Sequence, residues 1–238
     1  MEFGPIDHVF IVLCTMVLPV YASLVVYPRH LRALREGRPN YRLRMYRRTI
    51  GVQWIVAAVG LGIWVRADRS LTDLGLGLPG GRGFTISAAV VAGLILLFHR
   101  QLRFAREDKE IQDRLREQFQ RTAPFAPRTA RQMGWFAGVS VTAGVCEELL
   151  MRGYLMAYIG HFFGTPAAVI VSSLVFGLGH LYQGWPGVLK TTIAGLVVAG
   201  LYVASGSLWL PMLLHAFVDL NAGFLSRTVH PDEDESPT

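Results

Sequence analysis

Cysteine is almost absent. Cys14 and Cys146 are the only two among 238 residues, and both fall inside apolar segments, so no disulfide framework is expected and the pair says little about redox compartment. Cys146 is read as a small buried hydrophobe rather than a nucleophile, because an apolar setting suppresses the thiolate. Charge is scarce too. Asp, Glu, Lys and Arg make up 17% of the chain against 52% hydrophobic residues, with a mean hydropathy of +0.36, and that balance excludes an ordinary soluble domain. No Lys or Arg precedes the first apolar run, where Glu2 and Asp7 stand instead and an Arg-rich loop follows. A retained helix is therefore expected there, not a cleaved signal peptide, although Val20-Tyr21-Ala22 loosely resembles a cleavage site. No internal repeat is visible, which leaves an ion or proton transporter without the inverted repeat or paired broken helices such folds use.

What remains is long and apolar. A bilayer core about 30 Å thick needs about 20 mostly apolar residues per helix, with about 17 as the lower limit. Residues 9–27, 49–65, 84–98, 135–158, 162–181, 188–204 and 208–225 approach that length, the third being short. The expected fold is an all-α polytopic transmembrane bundle of about seven spans.

The formal net charge of +6 and a pI near 9.7 invite a nucleic-acid reading, but the arginines lack the aromatic interleaving and fold context for it, and no nucleic-acid partner is expected. Their positions fit topology. Eight arginines lie from Arg29 to Arg48 and nine basic residues from Arg100 to Arg131. If seven helices alternate, these join Lys190 and Arg227 on one side, leaving Arg66, Arg69 and Arg82 on the other and Arg152 in the membrane. The expectation is a multi-pass protein of the cytoplasmic (inner) membrane, amino terminus outside and carboxyl terminus cytoplasmic.

Between spans, residues 101–120 place Phe104, Ile111, Leu115 and Phe119 at helical spacing, supported by the pairs Glu110–Arg114 and Glu117–Arg121. An amphipathic surface helix is expected. Residues 70–81 read as a turn-rich loop without a catalytic role, and Pro124 and Pro127 interrupt the chain before the fourth span. Residues 230–238, with Asp232, Glu233, Asp234 and Glu235, read as solvated and disordered. On the fourth span Gly134, Gly138, Thr142 and Cys146 form a small-residue stripe suited to close helix approach.

The residues able to do chemistry interrupt these apolar helices. Glu147 and Glu148 are adjacent in the fourth span, a costly place for carboxylates. Arg152, four residues on, shares a helical face with Glu148, which leaves Glu147 without a local partner. His180 ends the fifth span, while His215 and Asp219 sit four apart on the seventh. Five acidic and imidazole groups within three helices exceed what packing alone explains.

Two chemistries suit such a set. In hydrolysis, Glu147 takes a proton from water, His180 orients that water, and His215 donates to the oxyanion. In metal catalysis, Glu147, His180 and His215 hold zinc with a position open for water.

The pattern Glu147-Glu148-x-x-x-Arg152, Phe176-x-x-x-His180 and His215-x-x-x-Asp219 resembles the CPBP intramembrane protease family, named for CAAX proteases and bacteriocin-processing proteins and also called Abi. The likeness covers Trp135 to Leu225, and Leu74-Gly75-Leu76 is similar to a loop often found upstream in bacterial members. The resemblance implies a helical catalytic cavity among the C-terminal helices. It implies Glu147 as base, His180 as its partner, Glu148 and Arg152 as supports, and Phe176 lining the site. It also implies a peptide or membrane-protein substrate within the lipid bilayer. Three regions follow: 1–132 with N-terminal helices, Arg-rich loops and connector; 133–226 as catalytic core; 227–238 as acidic tail.

Asp219 stands where the best-known CAAX endopeptidases have asparagine. Either it is protonated, or it accepts from His215 and fixes that tautomer, the second being preferred. A metal-free, glutamate-centred scheme is favoured over zinc. The alternative function is a non-catalytic membrane immunity or scaffold protein. Substrate identity and oligomeric state are not legible.

Overall fold

The computed structural model describes residues 2–230. Among them all regular structure is helical. Helix α1 (Pro5–Arg35) carries two π-helical stretches, Leu13–Val17 and Ala22–Val26, on either side of Pro19. A proline lacks the backbone donor the ladder needs, so the ladder re-pairs around it. Helices α2 (Tyr41–Arg66) and α3 (Gly81–Glu107) follow, then α4 (Lys109–Phe119). Helix α5 (Ala130–Glu148) runs through a π-helical segment, Leu149–Leu155, into α6 (Met156–Gly179). Helices α7 (Trp185–Ser205) and α8 (Trp209–Val229) close the bundle.

Five stretches are long and apolar enough to cross a membrane, one of them the 50 residues Ala130–Gly179. That stretch is bent. At Gly164, φ is 79° and ψ 167°, a conformation open only to glycine, and Pro166 follows. The chain reverses there, so residues 130–163 and 165–179 are separate helical segments and, with α8, which is not among those five stretches, the bundle has seven such segments. The reversal lies a few residues beyond the gap at 159–161 that hydropathy alone predicts. The lipid side is apolar: Phe163 is 72%, Leu24 70% and Ile86 66% exposed, a surface suited to acyl chains and not to water. This is a multi-pass membrane protein.

Three sequence expectations are corrected. The short third span is a 27-residue helix. The amphipathic helix over 101–120 is divided at Asp108, whose side chain accepts from the backbone N–H of Glu110 and Ile111 and so starts α4 as an N-cap. Leu102, Ala105, Ile111, Leu115 and Phe119 pack on Leu225 and Val229, whereas Phe104 turns outward. The Glu110–Arg114 pair forms at 2.5 Å, but among the described residues Glu117–Arg121 does not. Helix α8 also continues through Val229, past the boundary expected at residue 227, and the acidic stretch 231–238 lies outside the described residues.

Helix α5 sits at the centre, against α2 on one side and α8 on another, while α6 packs along α7. Helix α5 meets the α8 backbone closely at Gly144, where an added Cβ would lie 2.7 Å from the Met212 carbonyl oxygen and 2.8 Å from Ala216. The small-residue stripe instead faces α2 more loosely: Gly138 meets Ile50, and Trp54 Nε1 donates to Thr142 Oγ1 at 3.2 Å.

The 70–81 loop is packed, not free. Leu74 is buried against Gly153, and the Gly75 carbonyl accepts from Leu208 N at 2.9 Å. Beside it, Arg69 grips the Asp7 carboxylate with both terminal nitrogens, at 2.7 and 2.8 Å. Tyr154 donates to the same carboxylate, and Arg69 also donates to the Glu2 carbonyl at 2.7 Å. This buried cluster fastens the start of α1 to the π-helical segment of the core.

Candidate active site

Gly144 lets α5 and α8 touch, and one turn further along α5 brings both glutamates beside His215. Glu148 is fully buried. Its Oε1 accepts from Arg152 Nη1 at 3.0 Å and from His215 Nδ1 at 2.7 Å. Arg152 is equally buried; its Nη2 donates to the Gly195 carbonyl at 3.2 Å, and its guanidinium lies 4.5 Å from the Phe176 ring centre. A Cβ at position 195 would come within 3.2 Å of Nη2, so the glycine makes room for the guanidinium. One arginine thereby ties α5 to α6 and α7, and the Glu148–Arg152 pairing expected from their spacing is present.

Glu147 points to the other side of the imidazole. Its Oε2 lies 3.9 Å from His215 Nε2, and Asp219 Oδ2 lies 3.7 Å from the same nitrogen. Both separations are too long for a direct hydrogen bond and suit a bridging water. The side chains of Glu147 and Asp219 are 26% and 40% exposed, so this side of the ring is open, whereas the Glu148 side is sealed.

Helix spacing alone assigned the tautomer-fixing contact to Asp219. The structure gives it to Glu148, since Nδ1 is held at 2.7 Å by Glu148 while Asp219 faces Nε2. Nε2 therefore addresses the cavity, donating if the ring carries a second proton and accepting if it does not.

His180 is linked less directly. Its Nδ1 must donate to the Phe176 carbonyl, 2.8 Å away, because a carbonyl only accepts. Among the described residues its Nε2 has no hydrogen-bond partner. The Phe176 ring stands between the two histidines, 4.8 Å from His180 and 5.7 Å from His215. His180 is within electrostatic range of Asp219.

Two residues escaped the sequence reading. Gln53, on α2, donates from Nε2 to Glu147 Oε1 at 2.7 Å and supplies the partner Glu147 lacked on its own helix. Tyr182, in the α6–α7 turn, stacks on His180 at 5.8 Å and on Tyr27 at 5.3 Å, near Glu147 and Asp219. Burial pushes its phenol up to about 12. The hydroxyl is thus a neutral donor beside two acids. Neither residue carries a local signal, since a lone glutamine in a basic-ended helix and a tyrosine near a span end are both ordinary. Among the described residues no three His, Cys, Asp or Glu side chains converge as a metal-binding group.

A sealed glutamate and a partly exposed one thus flank a single histidine where apolar helices cross. Residues 129–221 match the family model described as Rce1-like, type II CAAX prenyl endopeptidase. This region is a CAAX-protease-family domain. The match spans less than half of the chain and leaves out Gln53 and Tyr27, which lie on α2 and α1. No curated protein and no solved structure matches the chain. The Rce1-like domain supports an intramembrane endopeptidase, and the helices that complete its site, α1 and α2, lie outside the matched segment.

Proposed function

We propose that the chain hydrolyses a peptide bond close to the cytoplasmic face of the inner membrane, with Glu147 as the base. The observation that carries this reading is the Glu147 carboxylate and His215 Nε2 standing 3.9 Å apart, close enough for one water beside them to hydrogen-bond both. A water there gives a proton to Glu147 while its oxygen attacks the substrate carbonyl. The C–O bond forms, the C–N bond breaks, and Glu147 returns the proton to the leaving amine. His215, doubly protonated, donates from Nε2 to the oxyanion, and His180 donates or accepts through its own Nε2. Glu148, Arg152 and Phe176 hold His215 in place, and Gln53 leaves Glu147 Oε2 directed at the water.

The arginine-rich ends of α1 and α2 sit at the end of the bundle that carries His180, which by the positive-inside rule is cytoplasmic. The description of the matched family names a prenyl endopeptidase. We carry over from it a lipid-anchored or membrane-inserted peptide as the substrate class.

The test is peptide profiling of cells carrying the native chain or Glu147→Gln. Membrane-proximal cleavage products should drop by at least about 100-fold in the variant, the usual contribution of a general base, with normal amounts of folded protein. Equal products from both would make the chain a binding partner, such as an immunity or scaffold protein. Because His215 keeps its Glu148 contact without Asp219, Asp219→Asn should retain most activity. The scheme routes no step through a metal, so chelator should leave the rate unchanged; loss with chelator and recovery with zinc would reassign Glu147, His180 and His215 as ligands.

A further inference from the structure

The turn after α1 folds back tightly: Arg38 N–H donates to the Ala33 carbonyl at 3.3 Å and Tyr41 N–H to the Arg38 carbonyl at 3.1 Å. The end of α1 and the start of α2 are thereby set side by side. Between them opens a cleft of about 430 Å³ lined by Arg29, Arg32, Arg38, Tyr41, Arg44 and Arg48. That volume is in the range of small-ligand sites, about 300–1,000 Å³.

Arg29 and Arg32 are three apart on α1, and Tyr41, Arg44 and Arg48 are three and four apart on α2, so each helix turns one face toward the cleft. Topology requires basic residues only on one side of the membrane and not in one cavity. Two of the three other arginines of these segments are engaged elsewhere. Arg42 donates to the Pro124 carbonyl at 2.9 Å, and Arg47 lies over Trp135 at 5.8 Å.

Five like charges around one space repel each other, and among the described residues only Arg38 has a carboxylate partner there, Glu36 at 2.8 Å. An anion offsets that repulsion. Guanidinium groups match phosphate oxygens in pairs, and Tyr41, held by His30 Nδ1 at 2.8 Å, offers a fixed ring beneath Arg44. The cleft lies where two spanning helices leave the apolar region, the level of lipid headgroups.

We infer that this cleft binds an anionic, phosphate-bearing headgroup, independently of the catalytic reading. All five arginines are exposed, so their neutral variants keep the fold. The full chain in detergent is titrated with phosphatidylglycerol and with phosphatidylcholine and followed by native mass spectrometry. One phosphatidylglycerol should bind with clear preference. Arg44→Gln with Arg48→Gln should weaken it by roughly 30-fold, and Arg103→Gln with Arg106→Gln, the same charge removed on α3, should leave it unchanged. Competition with inorganic phosphate then separates the sources. Displacement means that the free ion fills the cleft as well, and persistence means that the site needs the lipid, both with the phosphate chemistry intact. No preference in the native chain, or equal loss in both double variants, overturns the inference.

Discussion

Glu147 has its position set from another helix. Gln53 holds Oε1 at 2.7 Å, so Gln53→Leu should leave the base free to rotate. A hydrogen bond to a charged group contributes about 1.5–3 kcal/mol, so kcat should fall by about 10- to 100-fold with KM little changed. A steady-state comparison of the purified variant with the native chain checks this. Tyr182 gives a pH test. With its phenol pushed up to about 12, it stays protonated below that value and adds no ionisation near neutrality. Tyr182→Phe should therefore lower the rate while leaving the shape of the pH–rate profile unaltered from about pH 6 to 9; a shifted limb would mean that the phenol itself ionises in the cycle. At this scale the sequence reading reached the groups four apart on one helix, Glu148 with Arg152 and His215 with Asp219, because helix geometry brings them together whatever the tertiary fold. It missed Gln53–Glu147 and Glu148–His215, which are 94 and 67 residues apart and exist only once α2, α5 and α8 are packed.

Helix positions were legible from apolar runs, although not every length: the third span, short by hydropathy, is a 27-residue helix. The contact geometry of the fourth span was not legible. The stripe through Gly134, Gly138, Thr142 and Cys146 has the right spacing for a tight interface, yet the close crossing is at Gly144, off that stripe, because α8 approaches from the side of the glutamates. Gly144→Ala puts a Cβ 2.7 Å from a backbone oxygen that cannot move aside alone. The helices must separate, at a cost of about 1–3 kcal/mol. The expected result is a lower thermal midpoint together with a weakened Glu148–His215 contact, visible as a changed His215 imidazole NMR signal. The π-helical segment right after Glu148 is another feature no periodicity reveals, since its phase shift appears only in the backbone.

Seen whole, the molecule has two ends with different work. Basic residues gather at the end carrying His180, as their spacing along the chain led us to expect. The opposite end is closed by the Leu74 loop, read from sequence as turn-rich, and by the Asp7–Arg69–Tyr154 cluster, whose pairing no sequence spacing reveals. Asp7 and Arg69 side chains are each 5% exposed, so Arg69→Gln strands a buried carboxylate and should cost about 3–5 kcal/mol. Faster amide exchange at the start of α1, with exchange in α7 unaltered, is the expected signature.

The central claim is a single water held between the Glu147 carboxylate and the His215 ring. A density map of the lipid-embedded chain that resolves ordered solvent measures it directly. The expected result is a solvent peak within hydrogen-bonding distance, about 3.2 Å or less, of both Glu147 Oε2 and His215 Nε2. A dry gap there, or a Glu147 carboxylate turned toward the acyl chains, would contradict it.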